Sequence, residues 1–212
     1  SLEKKVVTEL IQALPKHQYF NVRFHHSFSN WLPFFWKGFV QQTMYTYVIS
    51  DISDLDEVYS NFKSSVRNKI RKAEQLVTVE ISDDMEAFYR LNEMTYDRQN
   101  KSIGYDLENI REMNRVFSEH RAGVLFMAKD TENRVHSGLY LTYDKKSANV
   151  HMVGEDQHLR TSGAGSLLVW EAIKYTRNTL GLNQFDFEGS VIENIEENRR
   201  AYGAEQFAYH RI

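Results

Sequence analysis

Apolar residues first recur at helical spacing, where Val6, Leu10, Ile11 and Leu14 mark a helix over residues 2–13. The period then shortens. β-Branched and aromatic residues fill "YFNVRFHHSF" and "TMYTYVISD", which predicts two strands around a compact aromatic turn, "NWLPFFWKGF". Phe62, Val66, Ile70 and Ala73 restore the helical period and predict one helix over 55–76. "LVTVEI" reads as a short strand. Helices follow over 84–100, with Met85, Phe88, Leu91 and Thr95 on one side, and over 106–120.

The pattern then changes to "GVLFMAKD", "RVHSGLYLTYD" and "ANVHMVGED", three strands separated by the short polar turns "TEN" and "KKS". Such turns make an antiparallel meander. A helix running to Leu180 comes next, with Gly181 placed to end it. A strand "NQFDFEG", a helix "ENIEENRRAY" and a strand "AEQFAYHRI" complete the chain. A meander followed by a helical crossover implies an α+β fold with a mixed sheet. The crossover strand should lie parallel to its neighbour, through a right-handed connection.

Composition narrows the function classes. The 212 residues carry a net charge of −3 and a pI of about 6.2, which argues against a generally basic nucleic-acid binder and against DNA as a partner. The absence of cysteine excludes disulfides, thiol nucleophiles and thiolate metal sites. No apolar run approaches the roughly 18–20 residues that span a bilayer. No membrane insertion is expected, and the chain reads as cytoplasmic. The histidines form no metal motif: His25 and His26 are adjacent and should point to opposite faces of a strand, and His151 reads as a satisfied core histidine.

One polar stretch carries chemistry. Arg160, Thr161, Ser162, Gly163, Ala164, Gly165 and Ser166 follow a strand and open a helix. Glycines there let backbone approach a ligand. The first helical turn offers unpaired N–H groups and a positive dipole end, and Arg160 adds a charge. A plain N-cap at Ser162 explains the same letters.

The order meander, Arg-x-x-Gly-x-Gly turn, helix, strand, helix, strand resembles the GNAT acyltransferase superfamily, with Arg160, Gly163 and Gly165 matching its pyrophosphate signature. "SSVRNKIRKAEQLVTVEI", "FDFEGS" and "RRAYGAEQFAYHRI" are similar to the Fem-type branch and its single-domain acetyltransferase relatives. The resemblance implies a GNAT-like acyltransferase domain over 77–212, with 1–76 a partial N-terminal GNAT-like segment packed on it. It implies that Arg160 to Ser166 hold the pyrophosphate of an acyl-CoA. The strand over 148–154 should splay from that over 183–188, with a bulge near Gly154. No metal is implied.

Acyl transfer to an amine needs proton removal and stabilisation of developing charge. Asp186 and Glu188 alternate with Phe185 and Phe187 on a strand, so both carboxylates should share one face. Glu188 leads as the candidate base, with Asp186 beside it and Glu155, next to Asp156, as the rival. The tyrosine that serves as acid in many GNAT enzymes has no counterpart: Arg199 stands at its place, and Tyr202 reads as a packing residue. In "KSSVRNKIRKAE", Arg67 and Arg71 share a helical face, which is either solvated or contacts a phosphorylated acceptor or tRNA. Arg98 and Tyr96 are candidates for the acceptor side.

Three readings stay open. The first is an acyl-CoA-dependent N-acyltransferase, acting on a small amine such as a nucleotide-linked amino sugar of cell-surface polysaccharide synthesis. The second is a Fem-type transferase using aminoacyl-tRNA on a peptidoglycan precursor. The third is a degenerate, non-catalytic GNAT-like binding domain. Nothing in the sequence indicates the oligomeric state.

Overall fold

The computed structural model describes residues 2–16, 18–189 and 193–212. Its elements run α1 (Leu2–Ala13), α2 (Leu32–Phe35), β1 (Gln42–Ile49), α3 (Leu55–Asn61), α4 (Ser64–Glu74), β2 (Thr78–Ser82), α5 (Met85–Arg98) and α6 (Leu107–Glu119). They continue through β3 (Gly123–Lys129), β4 (Val135–Tyr143), β5 (Ser147–Glu155), α7 (Ala164–Asn178), β6 (Gln184–Asp186), α8 (Glu193–Arg200) and β7 (Glu205–Arg211). Every helix and strand expected from residue 77 onward is present in the expected order.

The strands form one mixed sheet in the order β2-β3-β4-β5-β6-β1-β7. β5 and β6 are its parallel pair, joined through α7, and they share register only from Ser147↔Gln184 to Asn149↔Asp186. β5 continues to Glu155 without β6 beside it. β1 lies between β6 and β7, antiparallel to both. Within residues 1–76, β1 is inside the sheet, and Val58, Phe62, Val66 and Ile70 belong to its main core.

Alternation along the strands builds two cores, one on each face. Phe126, Ala128, Leu139 and Leu141 pack under α4 and α7, while Leu125, Met127 and Tyr140 pack under α5 and α6. A third cluster joins Val7, Phe34 and Ile212, where the N-terminal aromatic segment covers the β7 side.

Four local expectations change. The helix over 55–76 is two helices. Buried Phe62 is extended, with ψ 140°, and the next N–H, that of Lys63, donates to the Ala201 carbonyl at 2.8 Å. "YFNVRFHHSF" is not a strand; it makes a single bridge, Arg23↔Arg211, because its aromatic side chains fold into the third cluster. Within it His25 and His26 sit side by side, with ring centroids 4.0 Å apart, rather than on opposite faces. Of the aromatic turn, Phe34 is buried but Phe35 and Trp36 are about half exposed.

The bulge in β5 is also displaced. Leu141 pairs with Val150 and Tyr140 with Met152, so His151 is the extra residue. Gly154 pairs regularly with Gly138 and serves a different purpose. A Cβ on Gly154 would lie 2.7 Å from the Leu91 Cβ and 2.9 Å from the Asn92 backbone nitrogen, and one on Gly138 would meet the Phe88 ring at 2.7 Å. The two glycines let α5 lie directly on the strands. Among the described residues no helix is long and apolar enough to cross a membrane.

The close approach at Gly154 involves backbone, which cannot rotate away. Gly154→Ala is expected to cost about 1–3 kcal/mol as overpacking. Urea unfolding should show a lower midpoint at unchanged slope.

Candidate active site

Gly163 starts the site. Its φ of 82° is left-handed, and it forms the N-cap of α7 after a 3-10 turn over Arg160–Ser162. A non-glycine residue is strained there. A Cβ would also press to 2.5 Å from the Lys69 carbonyl oxygen, because α4 packs against the back of the turn. Ser162 is not the N-cap, though its Oγ accepts from the Ala164 N–H at 3.2 Å. Lys72 Nζ donates to the Thr161 carbonyl at 2.6 Å, which fixes the turn from the α4 side.

Gly165 differs from Gly163. Its missing side chain leaves room for Glu155, whose Oε1 lies 2.5 Å from the ideal Cβ position. Glu155 Oε2 accepts from Arg160 Nε at 3.2 Å and lies 3.8 Å from Arg98 Nη1. The backbone of Glu155 is held in turn, its N–H donating to Thr95 Oγ1 at 3.0 Å. Asp156 caps the following turn by accepting from the His158 N–H at 2.7 Å.

The turn opens into a cleft of about 830 Å3. Arg160, Thr161, Gly163, Gly165 and Ser166 line one end. Tyr202 and Arg199 of the α8 segment also line it, as do Val150 and His151, where β5 has parted from β6. Tyr202 does pack, against Phe62 and Phe187, with ring centroids 5.3 Å away in each case. It also lines the cleft, near Ser166. Burial pushes this phenol up, against the opposing effects of Ser166 and the Arg199 charge.

The three candidate carboxylates are not gathered together. Glu155 sits at the turn. Asp186 is buried and accepts from Thr46 Oγ1 at 2.5 Å and from the Glu188 N–H at 2.7 Å. Burial pushes its carboxyl up. Glu188 does not continue the strand alternation, since β6 ends at Asp186 and Glu188 takes a left-handed φ of 56°. That conformation is unusual for a residue with a side chain. It carries the carboxylate to His151, with Oε1 3.1 Å from Nδ1. His151 is thus no core residue: it is exposed, bulged out of β5 and turned into the cleft. The sequence signals neither the bulge nor this pairing across 37 positions.

A second pocket of about 480 Å3 adjoins the cleft through His151, Met152 and Val153. Tyr96 lines it with Tyr105, Asn92 and Asn109, while Arg98 faces the main cleft beside Lys101. Tyr105 donates to Asn92 Oδ1 at 3.2 Å. Arg67 and Arg71 lie apart from both. Arg67 Nη1 donates to the Ser60 and Phe62 carbonyls, closing the end of α3, and Arg71 Nη1 lies 3.5 Å from Asn68 Oδ1.

Residues 60–205 match the family model described as an acetyltransferase (GNAT) domain. A search of curated proteins finds no match. Among solved structures, FemX superposes with a TM-score of 0.70 at 15% identity, over 78% of this chain and 61% of that one. The C-terminal domain of a putative lysylphosphatidylglycerol synthetase from Agrobacterium fabrum gives 0.61 at 10% identity, over 85% and 63%. L-PGS from Bacillus licheniformis gives 0.57 at 9%, again over 85% and 63%. At these identities the likeness is one of fold, and the chain spans less than two thirds of each of these neighbours.

The two glycines of the turn should respond differently. Gly163→Ala combines a left-handed backbone with a clash against a carbonyl and should lose about 1–2 kcal/mol of stability. Gly165→Ala meets only the end of a flexible side chain and should stay within about 0.5 kcal/mol of the parent. Thermal or urea unfolding of the two variants separates these outcomes.

Proposed function

Because the chain belongs to the GNAT acetyltransferase family, we propose that it transfers an acyl group, in the simplest case acetyl, from an acyl-CoA to the amine of a small acceptor. The observation that carries this reading is the continuous cleft from the Arg160–Ser166 turn to the point where β5 leaves β6. The turn suits pyrophosphate: Gly163 and Gly165 leave the backbone bare at the start of α7, and Arg98 can hold Glu155 when Arg160 turns to the phosphates. Arg160 and the N-terminal dipole of α7 supply the matching positive charge. The donor's arm then follows the free edge of β5 toward His151.

At that end, His151 takes the proton of the acceptor amine as it attacks the thioester carbonyl. Glu188 orients the imidazole, and Asp186 holds Glu188 through its N–H. Glu155 is better suited to the phosphate end, where Arg160 and Arg98 neutralise it. The neighbouring pocket, lined by tyrosines and side-chain amides, suits a sugar ring carrying the amine. Lys101, on the main cleft beside that pocket, suits its attached phosphates. A nucleotide-linked amino sugar, as used in cell-surface polysaccharide synthesis, has this chemistry, and acyl-CoA use implies a cytoplasmic reaction.

The fold likeness to FemX favours a second reading, transfer from aminoacyl-tRNA. The basic α4 was its main sequence support, yet Arg67 and Lys72 are engaged internally.

Calorimetric titration with acetyl-CoA tests the first reading. Binding is expected, with Arg160→Ala about tenfold weaker, the value of one charge-assisted contact. His151→Gln should keep that affinity and lower kcat by at least about 100-fold. Absence of heat for the parent, with a salt-sensitive gel shift of tRNA, would transfer support to the second reading.

A further inference from the structure

Apart from packing on Phe187, no structural occupation of Arg199 is evident among the described residues. It belongs to α8 and lies one helical turn before Tyr202, facing the same cleft. Its guanidinium stacks over the Phe187 ring at 5.3 Å. Its Nε is buried and, among the described residues, has no hydrogen-bond partner. Buried polar atoms are nearly always paired, and an orphan on a permanently charged group calls for an explanation. Asp186 and Glu188 exert their charge on Arg199 without forming an ion pair with it. A cation that is partly dehydrated and unpaired interacts strongly with any anion brought to it.

Position identifies the anion. Arg160, Ser166, Tyr202, Arg199 and His151 line the same cleft, and Arg199 feels the charge of Glu188, which pairs with His151. Arg160 serves the phosphate end. Arg199 lies at the other end, next to the proton acceptor, where the thioester reacts. Tyr202 is poorly placed as a proton donor there, since it is almost wholly buried with its ring packed against Phe62 and Phe187.

We propose that Arg199 stabilises the departing thiolate of coenzyme A by charge, so that the leaving group needs no proton from the protein. This rests on the acyl-CoA reading above. In the step, the amine nitrogen forms a bond to the carbonyl carbon and the carbon–sulfur bond breaks. The electron pair leaves on sulfur opposite the Arg199 guanidinium, and the amine proton passes to His151. Atoms and charge balance without a further acid.

The test needs no acceptor. Affinities of coenzyme A and of desulfo-coenzyme A are measured by calorimetry from about pH 6.5 to pH 9, across the range of an ordinary thiol near 8.5. If Arg199 favours the bound thiolate, binding coenzyme A releases a proton, and its affinity relative to the desulfo compound rises with pH. A downward move of about one unit in the bound thiol gives a rise of about fivefold or more. Titration of the surrounding groups, His151, Glu188, Asp186, Glu155 and Tyr202, acts on both ligands and largely cancels in the ratio. The rise should vanish in Arg199→Met and persist in Arg199→Lys. Ultraviolet absorbance of the bound thiolate in the parent gives a variant-free check should Arg199→Met not fold. A flat ratio in the parent, or an undiminished rise in Arg199→Met, overturns the proposal while leaving acyl-CoA binding intact. Failure of both ligands to bind at every pH overturns the acyl-CoA reading itself, and the proposal with it.

Discussion

The structure depends on how briefly β5 and β6 run together. Their parallel ladder covers Ser147 to Asn149 against Gln184 to Asp186 and then stops. On its other side β6 is held by β1, through Val48↔Asp186 and Ile49↔Phe185, and cannot follow β5. β5 stays with β4, which pairs with it as far as Ser137↔Glu155. Two strands committed to opposite neighbours must part, and the wedge between them is the cleft. A parallel pair joined by a helix also places that helix's N-terminus at the open end. The turn at Gly163 and the cleft are thus consequences of one topological choice.

Around the wedge, the polar groups form a graded series. Glu155 is paired with Arg160 of the turn and Arg98 of α5. Asp186 is buried and serves the backbone of its own loop. Glu188, released from strand geometry by its positive φ, alone reaches the bulged His151. The same residue type thereby has three roles, set by enclosure and partner rather than by intrinsic chemistry. A bulge in one strand and a left-handed residue after the next point two side chains at each other. Local irregularities of this kind persist when the surrounding packing holds them. Here Thr46 on Asp186, and α5 on the paired glycines of β4 and β5, provide it.

Much of this was legible beforehand. The meander, the crossover helix and the Arg160–Gly165 turn follow from strand alternation, short polar turns and glycine placement, all of them local properties. The misplaced features were those where local preference yields to a distant partner. Phe62 continues a helical period yet breaks the helix, because it is buried in the core while Lys63 bonds to Ala201. "YFNVRFHHSF" has strand composition, but its side chains gain more by filling the third cluster than its backbone gains from a full ladder. Arg67 shares a face with Arg71 and still turns inward to carbonyls that only the broken helix exposes.

The sequence alone determined that Gly163 stands where a strand gives way to a helix, that a crossover must follow a meander, and that no cysteine chemistry is possible. These depend on residues near one another in the chain. Only the tertiary structure decided that His151, rather than a second acidic residue, meets Glu188, and that Arg199 faces the cleft with its Nε unpaired. Both depend on the β5 register and on where α8 settles against β1. A shift of one residue in a strand would reverse which side chains face the cleft, and that shift is set by packing across the whole sheet.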